Sequence, residues 1–107
     1  MLKMNLTSTG ISYKGAHAIF AGCMKFSTLG ELTLNKNNLD GTKLRILRDL
    51  MSHNKGLKVL NLQDCHMGED GALFLSQGLL KNNSLEVLNL SNNNFGDEGA
   101  KHFANGM

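Results

Sequence analysis

The sequence predicts an α/β solenoid, a fold in which similar strand–helix units stack side by side. One unit of 28 residues recurs along the 107-residue chain without a gap. The first half of each unit has apolar residues at strand spacing, and the second half has them at helical spacing. Because one such unit cannot bury its apolar face alone, the units must stack. We therefore predict a parallel sheet on the concave side, helices on the convex side and right-handed connections between strands.

Four repeats divide the chain, at residues 1–28, 29–56, 57–84 and 85–107. No linker, low-complexity stretch or change of composition interrupts them, so we predict a single domain over residues 1–107. The fourth repeat is truncated, and neither terminal repeat carries the polar cap that normally covers the end of a solenoid. Two outcomes are expected: the chain is a fragment of a longer solenoid, or its uncapped terminal repeats associate end to end.

The strand of each repeat is predicted from three apolar residues in the pattern apolar-x-x-apolar-x-apolar. The last two of the three alternate with polar residues, as a strand with one buried face requires. The triplets are Met1/Met4/Leu6, Leu29/Leu32/Leu34, Leu57/Leu60/Leu62 and Leu85/Leu88/Leu90.

A small residue with hydrogen-bonding capacity follows each strand, at Thr9, Asn37, Cys65 and Asn93. The backbone leaves the sheet at this point while still buried, so its polar groups need partners. Asparagine offers both a donor and an acceptor, cysteine offers them weakly, and threonine less completely. We predict that these four residues form a structural turn ladder and that the first repeat is the loosest. An apolar anchor comes two residues later, at Ile11, Leu39, Met67 and Phe95.

The second half of each repeat has the apolar spacing of a helix with one buried stripe. Acidic residues in the predicted first turns of the third and fourth helices complement the helix dipole. Glycines at positions 15, 71 and 99 are expected to open three helices where the backbone passes close to the strand layer. The stripes are Ala16/Ile19/Cys23, Leu44/Leu47/Met51, Ala72/Leu75/Leu79 and Ala100/Phe103/Met107.

The complete pattern L-x-x-L-x-L-x-x-N/C-x-L resembles the leucine-rich repeat family. The 28-residue period and the helix start Gly96-Asp97-Glu98-Gly99-Ala100 are similar to the ribonuclease-inhibitor-like branch. This resemblance implies a non-enzymatic scaffold that binds another protein through its concave face. It also implies two alternatives: a GTPase-activating protein of the Ran-activator type, or the ligand-sensing arm of a NOD-like innate immune receptor.

The candidate partner-binding residues are those that alternate with the buried strand positions, and we call this surface the concave face. It is polar, almost uncharged and free of aromatic residues, whereas binding hot spots favour Trp, Tyr and Arg. It is therefore either a weak part of a larger binding surface or purely structural. Its candidate residues are Glu31, Thr33, Asn35, Val59, Asn61, Gln63, Val87, Asn89 and Ser91.

Composition argues against several other partners. The net charge is +2 and the basic residues are dispersed, whereas nucleic-acid binding needs a basic stripe. No apolar run approaches the length of a membrane span, and no secretory signal opens the sequence. Cys23 and Cys65 occupy different phases of the repeat, so we expect two separate buried thiols and a reducing, cytoplasmic location. We expect no cofactor.

The cluster Asp64-Cys65-His66 is the one arrangement that suggests catalysis. Adjacent residues leaving a strand point in different directions, so they cannot form a nucleophile–base–orienter geometry. Cys65 also stands where the repeat places a structural asparagine. Because the histidines have no partners at metal-ligand spacing, we predict neither a catalytic residue nor a metal site.

Overall fold

The computed structural model describes residues 2–25 and 29–105. It contains a four-stranded parallel sheet in which sequence order and spatial order coincide, β1-β2-β3-β4. The strands are β1 (Leu2–Asn5), β2 (Leu29–Thr33), β3 (Val59–Asn61) and β4 (Val87–Asn89). The predicted leucine-rich-repeat architecture, one strand and one helix per repeat, is confirmed. Met1 and Met107, two of the predicted apolar positions, lie outside the described residues.

Pairing between the strands follows the 28-residue period. Glu31 pairs with Val59, which pairs with Val87, and Thr33 pairs with Asn61 and then with Asn89 in the same way. Between β1 and β2, Lys3 pairs with Glu31 after a register shift next to Leu2. Residues at one repeat phase therefore form straight rungs across the sheet.

A helix follows each strand. The helices are α1 (Tyr13–Lys25), α2 (Thr42–His53), α3 (Gly68–Lys81) and α4 (Gly96–Asn105). Glu69, Asp70, Asp97 and Glu98 lie in first helical turns, as predicted.

The core lies between the sheet and the helices of the middle repeats. One buried cluster contains the predicted stripe of α2 and the predicted strand leucines of repeats two and three, except Leu29, which is partly buried against it. At the end of the solenoid the pattern changes, because Ala100 is exposed and Phe103 only half-buried, whereas Ala72 and Leu75 are fully buried. The prediction that Ala100 is buried is wrong, since the described residues place no further repeat over α4.

The role predicted for the glycines needs correction. Helices α3 and α4 begin at Gly68 and Gly96, three residues before Gly71 and Gly99, and both of these initiating glycines have positive φ. A Cβ on Gly71 would collide with the Cβ of Met67, and a Cβ on Gly99 would lie 2.6 Å from the Cβ of Phe95. The close approach is therefore to the apolar anchor rather than to the strand layer.

At Gly15 a Cβ would meet only the Oγ of Ser12, at an ordinary contact distance of 3.6 Å. The predicted close approach is therefore absent from the first helix.

Candidate interaction surface

The concave face consists of three rungs on the side of the sheet that faces away from the helices. Two rungs lie on the strands, and the third, formed by Asn35, Gln63 and Ser91, lies in the turns directly after them. The first rung along the strand direction contains Glu31, Val59 and Val87, which are paired across β2, β3 and β4. Val87 is 51% exposed, and Val59 is partly exposed. The two valines form a small apolar area at the C-terminal part of a face that is otherwise polar.

The second and third rungs are held by hydrogen bonds within the face itself. The amide nitrogen of Asn61 donates to the hydroxyl oxygen of Thr33 at 3.0 Å. The side-chain oxygen of Asn35 accepts from the backbone N–H of Gln63 at 2.8 Å, and that of Asn89 accepts from the hydroxyl of Ser91 at 2.8 Å. These bonds hold the side chains of Thr33, Asn35, Asn61, Asn89 and Ser91 in place. Thr33 is itself buried, at 8% exposure, so it supports Asn61 rather than presenting its own hydroxyl on the surface.

Immediately after each strand the backbone adopts a left-handed conformation at one phase of the repeat. Ser8, Lys36, Asp64 and Asn92 have φ between 55° and 60°. Such a conformation is unfavourable for residues other than glycine, asparagine and aspartate. The turn ladder stabilises this sharp exit from the sheet.

Asn37 and Asn93 lie buried beneath the turn, and their side chains bond to backbone groups. The amide of Asn37 donates to the carbonyl oxygens of Leu6 at 2.9 Å and of Leu34 at 3.0 Å. The amide of Asn93 donates to the carbonyl of Leu62 at 2.8 Å, and its oxygen accepts from the N–H of Cys65 at 2.7 Å. Each asparagine therefore links its own turn to the preceding repeat.

The cysteine and threonine positions of the turn ladder differ in burial. Cys65 is fully buried, and its thiol donates to the carbonyl of Leu34 at 3.2 Å. Thr9 is exposed, and its hydroxyl donates to the carbonyl of Leu6 at 2.8 Å, within its own repeat. The first repeat has no preceding neighbour to which Thr9 could link it in the described part of the chain.

A second asparagine ladder lies at the other end of the helices, and sequence reasoning did not find it. Asn54 donates to the carbonyl of Cys23 at 2.9 Å, and Asn82 donates to the carbonyl of Met51 at 2.8 Å. The oxygen of Asn54 accepts from the N–H of Leu57 at 2.7 Å, and that of Asn82 accepts from the N–H of Leu85 at 2.8 Å. The signal was two asparagines 28 residues apart directly after predicted helices.

The structure does not assemble a catalytic group around Cys65. Its thiol is fully buried and already bonded, while His66 is exposed. Burial raises the pKa of the Cys65 thiol above its ordinary value, and burial also raises the pKa of Cys23. A thiol must ionise to act as a nucleophile, so both cysteines are poorly reactive in the folded chain. Both are free, as the sequence predicts.

The convex side carries shallow grooves between neighbouring helices. Phe74 is half-buried there and lies beneath the guanidinium of Arg48, 5.3 Å from the ring centre. His17 and His53 line a groove of about 200 Å³ between α1 and α2. Across residues 2–25 and 29–105 no group of three His, Cys, Asp or Glu side chains could hold a metal ion.

Two comparisons with known proteins bear on this architecture. The family model described as Leucine Rich repeat matches residues 53–76 and 81–104. Each match begins at the last residue of one helix and runs through the following strand into the next helix. No curated protein matches the chain.

None of the helices in the described residues is long and apolar enough to cross a membrane.

Proposed function

This chain belongs to the leucine-rich repeat family, and from that premise we propose that it is a non-enzymatic scaffold that binds another protein with its concave face. Leucine-rich repeats are in general protein-interaction modules, and their stacked units create extended binding surfaces. The proposed contact residues are those of the three rungs, Glu31, Thr33, Asn35, Val59, Asn61, Gln63, Val87, Asn89 and Ser91.

The observation that carries the proposal is the internal hydrogen bonding of the rungs. The Asn61–Thr33 bond and the bond from the Gln63 backbone N–H to Asn35 fix the side chains of Asn35 and Asn61, so a partner does not have to order these two on binding. Val59 and Val87 offer apolar area beside this ordered polar pattern. The proposed partner therefore presents an apolar side chain flanked by hydrogen-bonding groups.

Three finer features belong to the same proposal. The 28-residue period supports the ribonuclease-inhibitor-like branch. The two free, buried thiols support a cytoplasmic location. Dispersed charge supports a protein partner over a nucleic acid or a membrane.

Photo-crosslinking from the two sides of the solenoid tests the proposal. A photoreactive amino acid at Val59 or Val87 should crosslink one and the same protein in a native lysate. The same amino acid at Gln77, exposed on α3, is the matched control and should not capture that protein. Substitution Val59→Arg should then reduce capture from position 87 at least tenfold. Equal capture from position 77 would contradict the use of the concave face.

A further inference from the structure

The two ends of the solenoid expose residues whose equivalents are buried inside it. Met4 is 41% exposed, whereas Leu32 and Leu60, at the same phase of the repeat, are fully buried. At the opposite end Ala100 is exposed, whereas Ala16 and Ala72 are fully buried. In the middle repeats, the neighbouring repeat covers these positions.

The N-terminal end forms an apolar groove of about 320 Å³. Leu2 and Met4 of β1 line one wall, and Ala18, Ile19 and Gly22 of α1 line the other. Leu47, one repeat after Ile19, is fully buried in the interior. Inside the solenoid, the equivalent positions are covered by the C-terminal side of the preceding strand–helix unit. The same kind of surface would therefore fit the N-terminal groove.

A glycine in this groove leaves room for a neighbouring helix. Gly78 stands at the same phase as Gly22, and a Cβ on Gly78 would lie 2.9 Å from the Cβ of Met51 and 3.2 Å from the carbonyl oxygen of Arg48. A Cβ on Gly22 would meet nothing within 4 Å. Helix α1 thus has the same small residue that permits close packing of α2 on α3, but no helix of the described residues packs against it there.

The charges of the two ends are complementary. Residues 1–28 contain three lysines and no acidic residue, whereas residues 85–107 contain three acidic residues and one lysine. Lys101 pairs with Glu98 at 3.2 Å, so Glu86 and Asp97 make up the negative excess. An acidic end facing a basic end favours encounter in one relative orientation.

We infer that a second copy of this chain docks head to tail, with the fourth repeat of one copy seated in the N-terminal groove of the next. Continuing the observed register puts β4 beside the next copy's β1, with Val87 paired to Lys3, Leu88 to Met4 and Asn89 to Asn5. Because β4 is the last strand of the sheet in the described residues, this pairing would add a fifth strand. This inference concerns the ends of the solenoid, although Val87 and Asn89 of β4 also belong to the concave face.

Such a contact joins two different surfaces, so it does not close into a symmetric dimer. A heterologous interface of this kind forms an open chain of copies. The assembly should therefore grow with concentration beyond two copies, and blocking either surface should stop growth.

Two variants block the two surfaces separately. Gly22→Glu puts an acidic side chain into the apolar groove, and its Cβ would meet nothing within 4 Å. Ala100→Glu puts a charge at a phase that holds a buried Ala16, Leu44 or Ala72 inside the solenoid. Asn83→Glu is the control, since it makes the same change of charge at an exposed position within the third repeat. Circular dichroism checks that each variant is folded.

Sedimentation velocity over a concentration series is the measurement. The parent and Asn83→Glu should form species larger than a dimer at high concentration, and each blocked variant should remain monomeric, with an apparent Kd raised at least tenfold. An equimolar mixture of the two blocked variants should form a one-to-one dimer, because each still has one intact end.

A parent that stays monomeric, a blocked variant that dimerises alone, or a mixture that stays monomeric would overturn the inference. Crosslinking from Val59, which lies on the inner strand β3, would be unaffected, so failure of this inference is distinguishable from failure of the concave-face proposal.

Discussion

The side-chain amide of Asn54 donates a hydrogen bond of 2.9 Å to the carbonyl oxygen of Cys23, which lies 31 residues earlier at the end of α1. The last carbonyls of a helix have no partner within the helix. The side-chain amide of Asn54 therefore caps α1, the helix of the preceding repeat. Its side-chain oxygen also accepts hydrogen bonds from the N–H groups of Gly56 and Leu57 in the turn that follows α2. One side chain thus joins two repeats on the helix side, as Asn37 does on the strand side.

Replacing Asn54 with Ala should destabilise the fold. The carbonyl of Cys23 and the N–H groups of Gly56 and Leu57 would lose their partner in a buried site, which costs about 1–3 kcal/mol. The free energy of unfolding, measured by urea titration, checks this. Asn83→Ala, at an exposed position, is the control and should change it by less than about 0.5 kcal/mol. Equal midpoints for the two variants would refute the capping role.

The turn ladder predicts a similar loss at Asn37. Asn37→Ala would leave the carbonyl of Leu6 without its partner from the second repeat and would remove the acceptor of the Ile11 N–H. We expect a loss of about 1–3 kcal/mol, against less than about 0.5 kcal/mol for the neighbouring, exposed Asn38→Ala. A denaturant midpoint identical to that of the parent would show that Asn37 does not stabilise the turn.

Two glycines at one phase of the repeat should respond in opposite directions to substitution by alanine. Gly78→Ala forces a Cβ to 3.2 Å from the backbone carbonyl of Arg48, so α2 and α3 must separate and stability should fall by about 1–3 kcal/mol. Gly22→Ala meets nothing within 4 Å and gains the helix propensity of alanine, about 0.5–1 kcal/mol. Thermal unfolding should show a lower Tm for the first variant and a higher Tm for the second. Shifts of the same sign would contradict the packing described here.

The repeat period made most of this architecture predictable. The order of strands, their register and the burial of Leu32, Leu60 and Asn37 all follow from one pattern repeated in phase. The cap at Asn54 escaped prediction because the equivalent position in the first repeat is Phe26, so the asparagine recurs only at position 82. Two occurrences are too few to stand out among the many asparagines of this chain.

The repeat pattern could not predict packing distances between helices, for a different reason. Gly22 and Gly78 are equivalent in sequence, but one faces open space and the other faces a helix backbone. Repeat phase identifies which residues are alike, whereas contact depends on whether a neighbouring unit is present. The same reason explains why Ala100 is exposed although its equivalents are buried. Partner recognition on the concave face similarly depends on the complementary surface as well as on the rung residues.

The two buried thiols predict a loss of stability in alkaline solution. Burial raises the pKa of Cys23 and Cys65 above the ordinary value of 9.0, so the folded chain keeps these protons when the unfolded chain releases them. Their contribution is complete below about pH 9 and declines as the pH rises through the folded pKa values. Urea midpoints of the parent should therefore fall more steeply above pH 9 than those of Cys23→Ala. A parallel pH dependence would contradict this linkage.

The hydrogen bond and the turn that constrain the polar residues Asn35 and Asp64 beside the sheet predict that the chain does not accelerate GTP hydrolysis on small GTPases. A GTPase activator stabilises the transition state with a positioned charged or polar group. The oxygen of Asn35 already accepts a hydrogen bond from the N–H of Gln63, and Asp64 is half-buried in a left-handed turn. Single-turnover assays on a panel of small GTPases should give the same rate with and without the chain. A stimulation that Asn35→Ala or Asp64→Ala abolishes, with Asn38→Ala as the inactive control, would replace the scaffold proposal with a GTPase-activating function.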